Sequence, residues 1–345
     1  MVYRIDALQY CNWSPEIFAQ MQAGGLDAVH VTIAYHETFR ETVLRIEEWN
    51  RRFEAHPDLI FKGRTGADVD LARQTGRTAI FFGAQNPSPI EDDIGLVEVL
   101  HDLGLRFMQL TYNNQSLLAT GCYETQDTGL TRMGREVVDE MNRVGMVIDM
   151  SHSADRSTME AAERSRRPIA ITHANPAAWH PARRNKPSAV IRAVTDRGGM
   201  LGFSLYPHHL AGGSACTLDA FCRMVADTAE AYGTGCLGIG SDLCQGQPDR
   251  VVEWMRVGRW TKAIDYGEGS ADAPGFPPQP EFFRDNRDFP GLAKGLRAVG
   301  FDAAEVDAIL GGNWKRFFEA SFGPEAAASA AASDTDADAT PGAAA

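Results

Sequence analysis

Residues 134–152 read GREVVDEMNRVGMVIDMSH. The first eleven carry a helical pattern that stops at Gly145, a residue suited to a helix C-cap. The apolar run 146–150 then predicts a strand, and it ends on Ser151 and His152. Outward from this unit the same alternation continues in both directions. Strands are expected at 4–8, 28–33, 79–83, 107–110, 146–150, 169–171, 200–204 and 237–239. Helical patterns lie between them, at 14–23, 36–55, 134–144, 189–197 and 218–232. Eight strands separated by helices predict a parallel sheet, and eight is the number that closes a (β/α)8 TIM-type barrel. A doubly wound open sheet fits less well, because no G-x-G-x-x-G follows the first strand.

The barrel is expected to occupy residues 1–325 as a single catalytic domain. Residues 326–345 are Ala-rich, contain no large apolar side chain, and predict a disordered tail. The segment 245–290 is rich in Gly, Pro and Trp and is too long for an ordinary connection, which is the pattern of a functional loop or a lid. The formal net charge of −13 argues against nucleic acid or an anionic membrane surface as partner. The opening MVYRIDALQY lacks the basic and apolar regions of an export signal, and no run of about 18 apolar residues predicts a membrane span. A cytoplasmic location follows as the expectation, with the six cysteines as free thiols.

Barrel enzymes carry their chemistry at the C-terminal ends of the strands. The polar residues standing there are Gln85, Tyr112, His152, His173, Tyr206 and Asp242. Histidines at consecutive strand ends can converge on one cation, because neighbouring strands lie under about 5 Å apart. Asp242, in GSD, is placed to ligate or to act as a general base. The stretch HANPAAWHPARRN from His173 to Asn185 brings Arg183, Arg184 and Asn185, and an arginine here can clamp a substrate carboxylate. A single histidine after a strand is more often structural than functional; two in register with an aspartate reverse that balance.

The pieces IDMSHSAD, ITHANPAAWHPARRN, RGGMLGF and GIGSD, in this order, resemble the membrane (renal) dipeptidase family of the amidohydrolase superfamily. That family's members are binuclear zinc barrels that cleave dipeptides. The resemblance implies zinc on His152 and His173, Asp242 as the catalytic acid/base, and Arg184 with Asn185 on the substrate carboxylate. Tyr206 joins them as a substrate-binding candidate. Three elements of the family pattern are altered. Its H-x-D on the first strand corresponds to Leu8 and Tyr10 here, its bridging glutamate to Gln85, and its oxyanion histidine to Tyr112. Gln85 is therefore only a weak metal candidate, since an amide replaces a carboxylate badly between two cations. Tyr112 retains a hydroxyl that can donate to an oxyanion. Cys11, Cys122, Cys244 and Glu124 are the residues that could replace lost ligands, although buried or idle thiols are the commoner case.

The expectation is thus a hydrolase of a dipeptide or N-acyl amino acid with one zinc ion, taking a small-molecule substrate, with a homodimer as the expected kind of assembly. Two alternatives stand beside it. One is a metal-free enzyme that cleaves a C–N bond in a small amine or amino-acid derivative. The other is a non-catalytic protein that binds a small molecule in the same pocket.

Overall fold

The computed structural model describes residues 3–259 and 261–323. Nine strands occur, all parallel: β1 (Ile5–Gln9), β2 (Ala28–Ala34), β3 (Ile60–Lys62), β4 (Thr78–Ala84), β5 (Leu105–Gln109), β6 (Val147–Asp149), β7 (Ala170–Ile171), β8 (Met200–Phe203) and β9 (Leu237–Ile239). β2 pairs with both β1 and β4, and β1 pairs with β9, so eight strands close into a barrel. β3 is extra to it. It pairs with the first half of β4, Ile60 to Thr78 and Lys62 to Ile80, while β5 takes the second half.

The strands sort their side chains by alternation. Ile5, Ala7, Ala28, Ala79, Phe81, Phe107, Val147 and Met200 form a core cluster with the C-terminal helix Asn313–Ser321. The alternate set, Val29, Val31, Ile80, Phe82, Ile148 and Leu201, packs with the surrounding helices. Trp314 and Phe318 of that C-terminal helix join the inner cluster, and the Trp314 Nε1–H donates to the Ile239 carbonyl at 3.1 Å. Gly238 permits this, because a Cβ there would lie 2.2 Å from Trp314 Nε1.

The helices follow their caps. Pro15–Gly24 is capped by Ser14 and ends on Gly25 in the left-handed region, φ 68°. Phe39–Ala55 begins later than the helical pattern at 36–55 suggests. Thr38 and Glu41 form a capping box that fixes its start, and His36 and Glu37 stay outside it. Arg132–Val144 is capped by Thr131 and stops at Gly145. Among the described residues, no helix is long and apolar enough to cross a membrane. The Ala-rich stretch at 326–345 lies outside the described residues.

Candidate active site

Strand ends deliver the site. His152 follows β6 and His173 follows β7, and their Nε2 atoms stand 3.1 Å apart. Gln85, at the end of β4, places its Oε1 2.8 Å from His152 Nε2. The partners of the other ring nitrogens say which nitrogen carries the proton. Asp149 takes the Thr172 hydroxyl at 2.6 Å, so Thr172 Oγ1 accepts from His173 Nδ1 at 2.8 Å. Asn113 Oδ1 lies 2.6 Å from His152 Nδ1. Gln85 Nε2 donates to Thr32 and Tyr35 at 2.8 and 3.0 Å, which aims its oxygen at the histidines. His173 Nε2 is therefore left as an acceptor, while His152 has an acceptor oxygen at each ring nitrogen and donates from one of them. Burial, followed by the nearby Arg184 guanidinium, pushes both histidines well below the ordinary imidazole range, so both are neutral.

This donor set bears on the metal that the resemblance implies. A tetrahedral ion with bonds of about 2.0–2.1 Å holds its ligands about 3.3 Å apart, close to the spacing here. His152, His173 and Gln85 are the donors present there. The positions that the family pattern gives to further ligands hold other groups. Leu8 is fully buried hydrocarbon. Burial pushes the Tyr10 phenol up, so it offers no anion, and its ring packs edge-on against Tyr35 at 4.7 Å. Tyr35 meets Tyr112 in turn at 5.1 Å, and these rings fill that side. Among the described residues no group of three or more His, Cys, Asp or Glu is arranged around a metal position.

Asp242 follows β9 with φ at +58°, one of two non-glycine residues in that region among those described. Its backbone N–H donates to the Leu8 carbonyl at 3.0 Å, which ties it to β1. Such backbone strain, tolerated best by Asp and Asn, concentrates at functional sites. Burial pushes its carboxyl up to about 7, with Arg184 opposing and Asp6 and Asp149 adding to the rise. Asp6 itself is structural. It accepts from the Ser241 and Leu8 backbone N–H groups and from the Ser241 and Gln9 side chains.

The pocket is lined by Gln85, Tyr112, His152, Arg184, Tyr206 and Asp242 from the barrel. Tyr112 stacks on His152 with ring centres 4.1 Å apart. Arg184 is buried and donates to the Ser151 and His173 carbonyls. Arg183 is not at the pocket; it lies over the Tyr123 ring and donates to the Tyr123 carbonyl. Asn185 does not line it either. Its amide donates to the His180 and His209 carbonyls and its oxygen accepts from Asn175, so it braces the loop behind Arg184. Cys244 lines the pocket, Cys11 is buried with its thiol on the Leu243 carbonyl, and Glu124 belongs to a separate groove with Leu117.

The segment 245–290 supplies the rest of the wall: Val252, Met255 and Arg256 from the helix Asp249–Val257, then Glu268 and Phe276. Sequence reasoning flagged the segment without naming these residues. It also missed Tyr123, His208, His209 and the buried Lys186, whose ammonium donates to the Ser153 carbonyl and which burial pushes down to about 8. The pocket has a free volume of about 50 Å³, small beside the roughly 300–1,000 Å³ of ligand pockets.

Comparisons with known proteins bear on this arrangement. The family model "Membrane dipeptidase (Peptidase family M19)" matches residues 16–265. A dipeptidase of Claviceps purpurea, tcpJ, is 27% identical over 241 residues, 69% of this chain. The chain spans 55% of the length of the curated relatives it matches. A crystal structure of an amidohydrolase from Pseudomonas aeruginosa is 32% identical, with a TM-score of 0.88, covering 93% of this chain and 97% of that one. A metallopeptidase from Rhodobacter sphaeroides, liganded with a phosphinate mimic of the dipeptide L-Ala-D-Ala, shares the fold at 16% identity, with a TM-score of 0.76 over 93% of this chain and 99% of that one.

Proposed function

The chain belongs to the membrane dipeptidase family, peptidase family M19, and from that footing we propose that it hydrolyses the amide bond of a dipeptide or N-acyl amino acid. The observation that carries the reading is Asp242, whose buried carboxyl, pushed up to about 7, faces the pocket that His152 and Arg184 also line. A carboxyl poised there can take a proton from an attacking water and return it to the leaving amine at neutral pH.

Each neighbour has a matching part. Tyr112 offers its phenolic O–H to the carbonyl oxygen as charge develops on it. Burial holds that phenol protonated, and its stacking on His152 fixes the ring. Arg184, its guanidinium anchored on the Ser151 and His173 carbonyls, presents its remaining N–H groups to a substrate carboxylate. Tyr206 closes one side of the pocket, held by the N–H that it donates to Ser204. His152 and His173, with Gln85, would hold one divalent ion, which when bound supplies a Lewis acid and a water of lowered pKa. Zinc is among the ions that imidazole donors suit.

In the test, wild type and Asp242→Asn protein of equal folded content are assayed on a dipeptide panel. Turnover by the wild type with at least about a hundredfold loss in the variant is expected. Equal turnover by both contradicts the reading. A second reading has one observation in its favour. The ligand set is neutral and Arg184 lies close to it, a poor environment for a dication. A metal-free enzyme using the same groups on a C–N bond would keep full activity in strong chelator; the hydrolase proposed here would lose it.

A further inference from the structure

Glu268 is in an unusual position for a carboxylate. It lines the pocket from the covering segment. Its Oε2 accepts the Tyr123 hydroxyl, while its Oε1 is buried and has no hydrogen-bond partner among the described residues. A buried polar atom without a partner is costly, more so when charged, and in a native protein it calls for an explanation.

The surroundings are built to keep it there. Gly267, at φ +57°, brings the chain so near Tyr123 that a Cβ would lie 2.6 Å from the phenolic oxygen. Arg183 lies over the Tyr123 ring at 5.0 Å and fixes it from the other side. No protein cation answers the carboxylate. Among the described residues Glu268 has no ion pair within 4.0 Å. Arg256 spends itself on the Asp265 carbonyl at 3.0 Å, on the Tyr266 ring and on Tyr206. Burial, with Arg256 next, pushes the nearby His208 down, toward the neutral imidazole.

We propose that Glu268 is a specificity-determining residue that reads a protonated amino group on the substrate, its unpartnered Oε1 receiving the ammonium when the covering segment closes over the pocket. The pocket would then take a zwitterion, with a carboxylate at Arg184 and an ammonium at Glu268. A free-amine dipeptide fits this description and its N-acylated counterpart does not. The inference rests on the reading of the pocket as a site for dipeptide-like ligands and narrows that class.

The experiment compares L-alanyl-D-alanine with its N-acetyl derivative. Binding is measured by calorimetry on Asp242→Asn protein, where catalysis does not consume the peptide. KM and kcat are measured on protein with Asp242 intact. A charge-assisted hydrogen bond is worth about 1.5–3 kcal/mol, or about ten- to 150-fold in affinity. The free amine should bind at least about tenfold tighter than the acetylated peptide, and adding Glu268→Gln should erase that preference by weakening only the free amine. Tyr123→Phe controls for the lid, since it loosens the segment and keeps the carboxylate, so it should weaken both peptides alike. Equal binding of the two peptides, an equal loss of both with Glu268→Gln, or no binding of either overturns the inference. Selective binding without turnover overturns the hydrolase reading and leaves Glu268 in place. Turnover of both peptides with equal KM does the reverse.

Discussion

Asp242 is held in the left-handed region and out of water, and both conditions have measurable consequences. Its carboxyl is pushed up from an ordinary carboxylate value to about 7 by burial. The folded chain therefore binds a proton that the unfolded chain has released between about pH 4 and pH 7. Stability from this group is fully present below about pH 4 and is lost as pH rises through about 7. Asp242→Asn imitates the protonated form. It should match the wild type in denaturant titrations at pH 4 and exceed it at pH 8, by an amount on the order of a few kcal/mol, while losing activity. Equal stability at pH 8 would mean that the carboxylate is better solvated than its burial implies. The same pKa fixes the acid limb of the rate profile. A general base must be ionised, so kcat/KM should rise with pH through about 7 and flatten above it. A profile with no acid limb would remove Asp242 from that role.

At the scale of elements, the barrel was legible because most strands are short apolar runs and six of them are followed by a polar group. The runs ending at His152, His173 and Asp242 give both the strand and its functional end. Ile60–Lys62 was not legible, since three residues carry no period. The start of Phe39–Ala55 was overrun because the polar residues 36–38 continue the charged face of the helix, although Thr38 and Glu41 spell the capping box. The far wall of the pocket was illegible for a different reason. Arg256, Glu268 and Phe276 come from a long connection, where spacing does not tell which side chains turn inward. Close packing at the opposite end of the barrel yields its own prediction. In Gly238→Ala the new methyl meets Trp314, whose hydrogen bond to Ile239 seats the C-terminal helix. A loss of about 1–3 kcal/mol in chemical denaturation is expected, with kcat unchanged, because the site lies at the other strand ends. A fall in kcat at full folded content would show that the two ends are coupled.

Across the whole molecule, a buried barrel carries one wall of largely irregular chain. Residues 261–285 contain no helix or strand and are mostly exposed or half-buried, while the barrel strands are buried throughout. Protease should therefore nick this segment first, leaving the barrel folded and turnover abolished, and a bound dipeptide should slow the cut. Cleavage first within a barrel helix would contradict the division. The wall covers His152 and His173 from neighbouring strands, with Gln85 beside them and Leu8 and the tyrosine cluster nearby, the donor set on which the proposed single ion rests. Family membership accounts for the frame, and the altered positions decide how much of the metal chemistry survives in it. The most direct measurement is the metal content of protein purified without chelator, by elemental mass spectrometry, for the wild type and for His152→Ala. The account predicts about one zinc per chain in the first and none in the second. Two ions per chain, or none in the wild type, would contradict it.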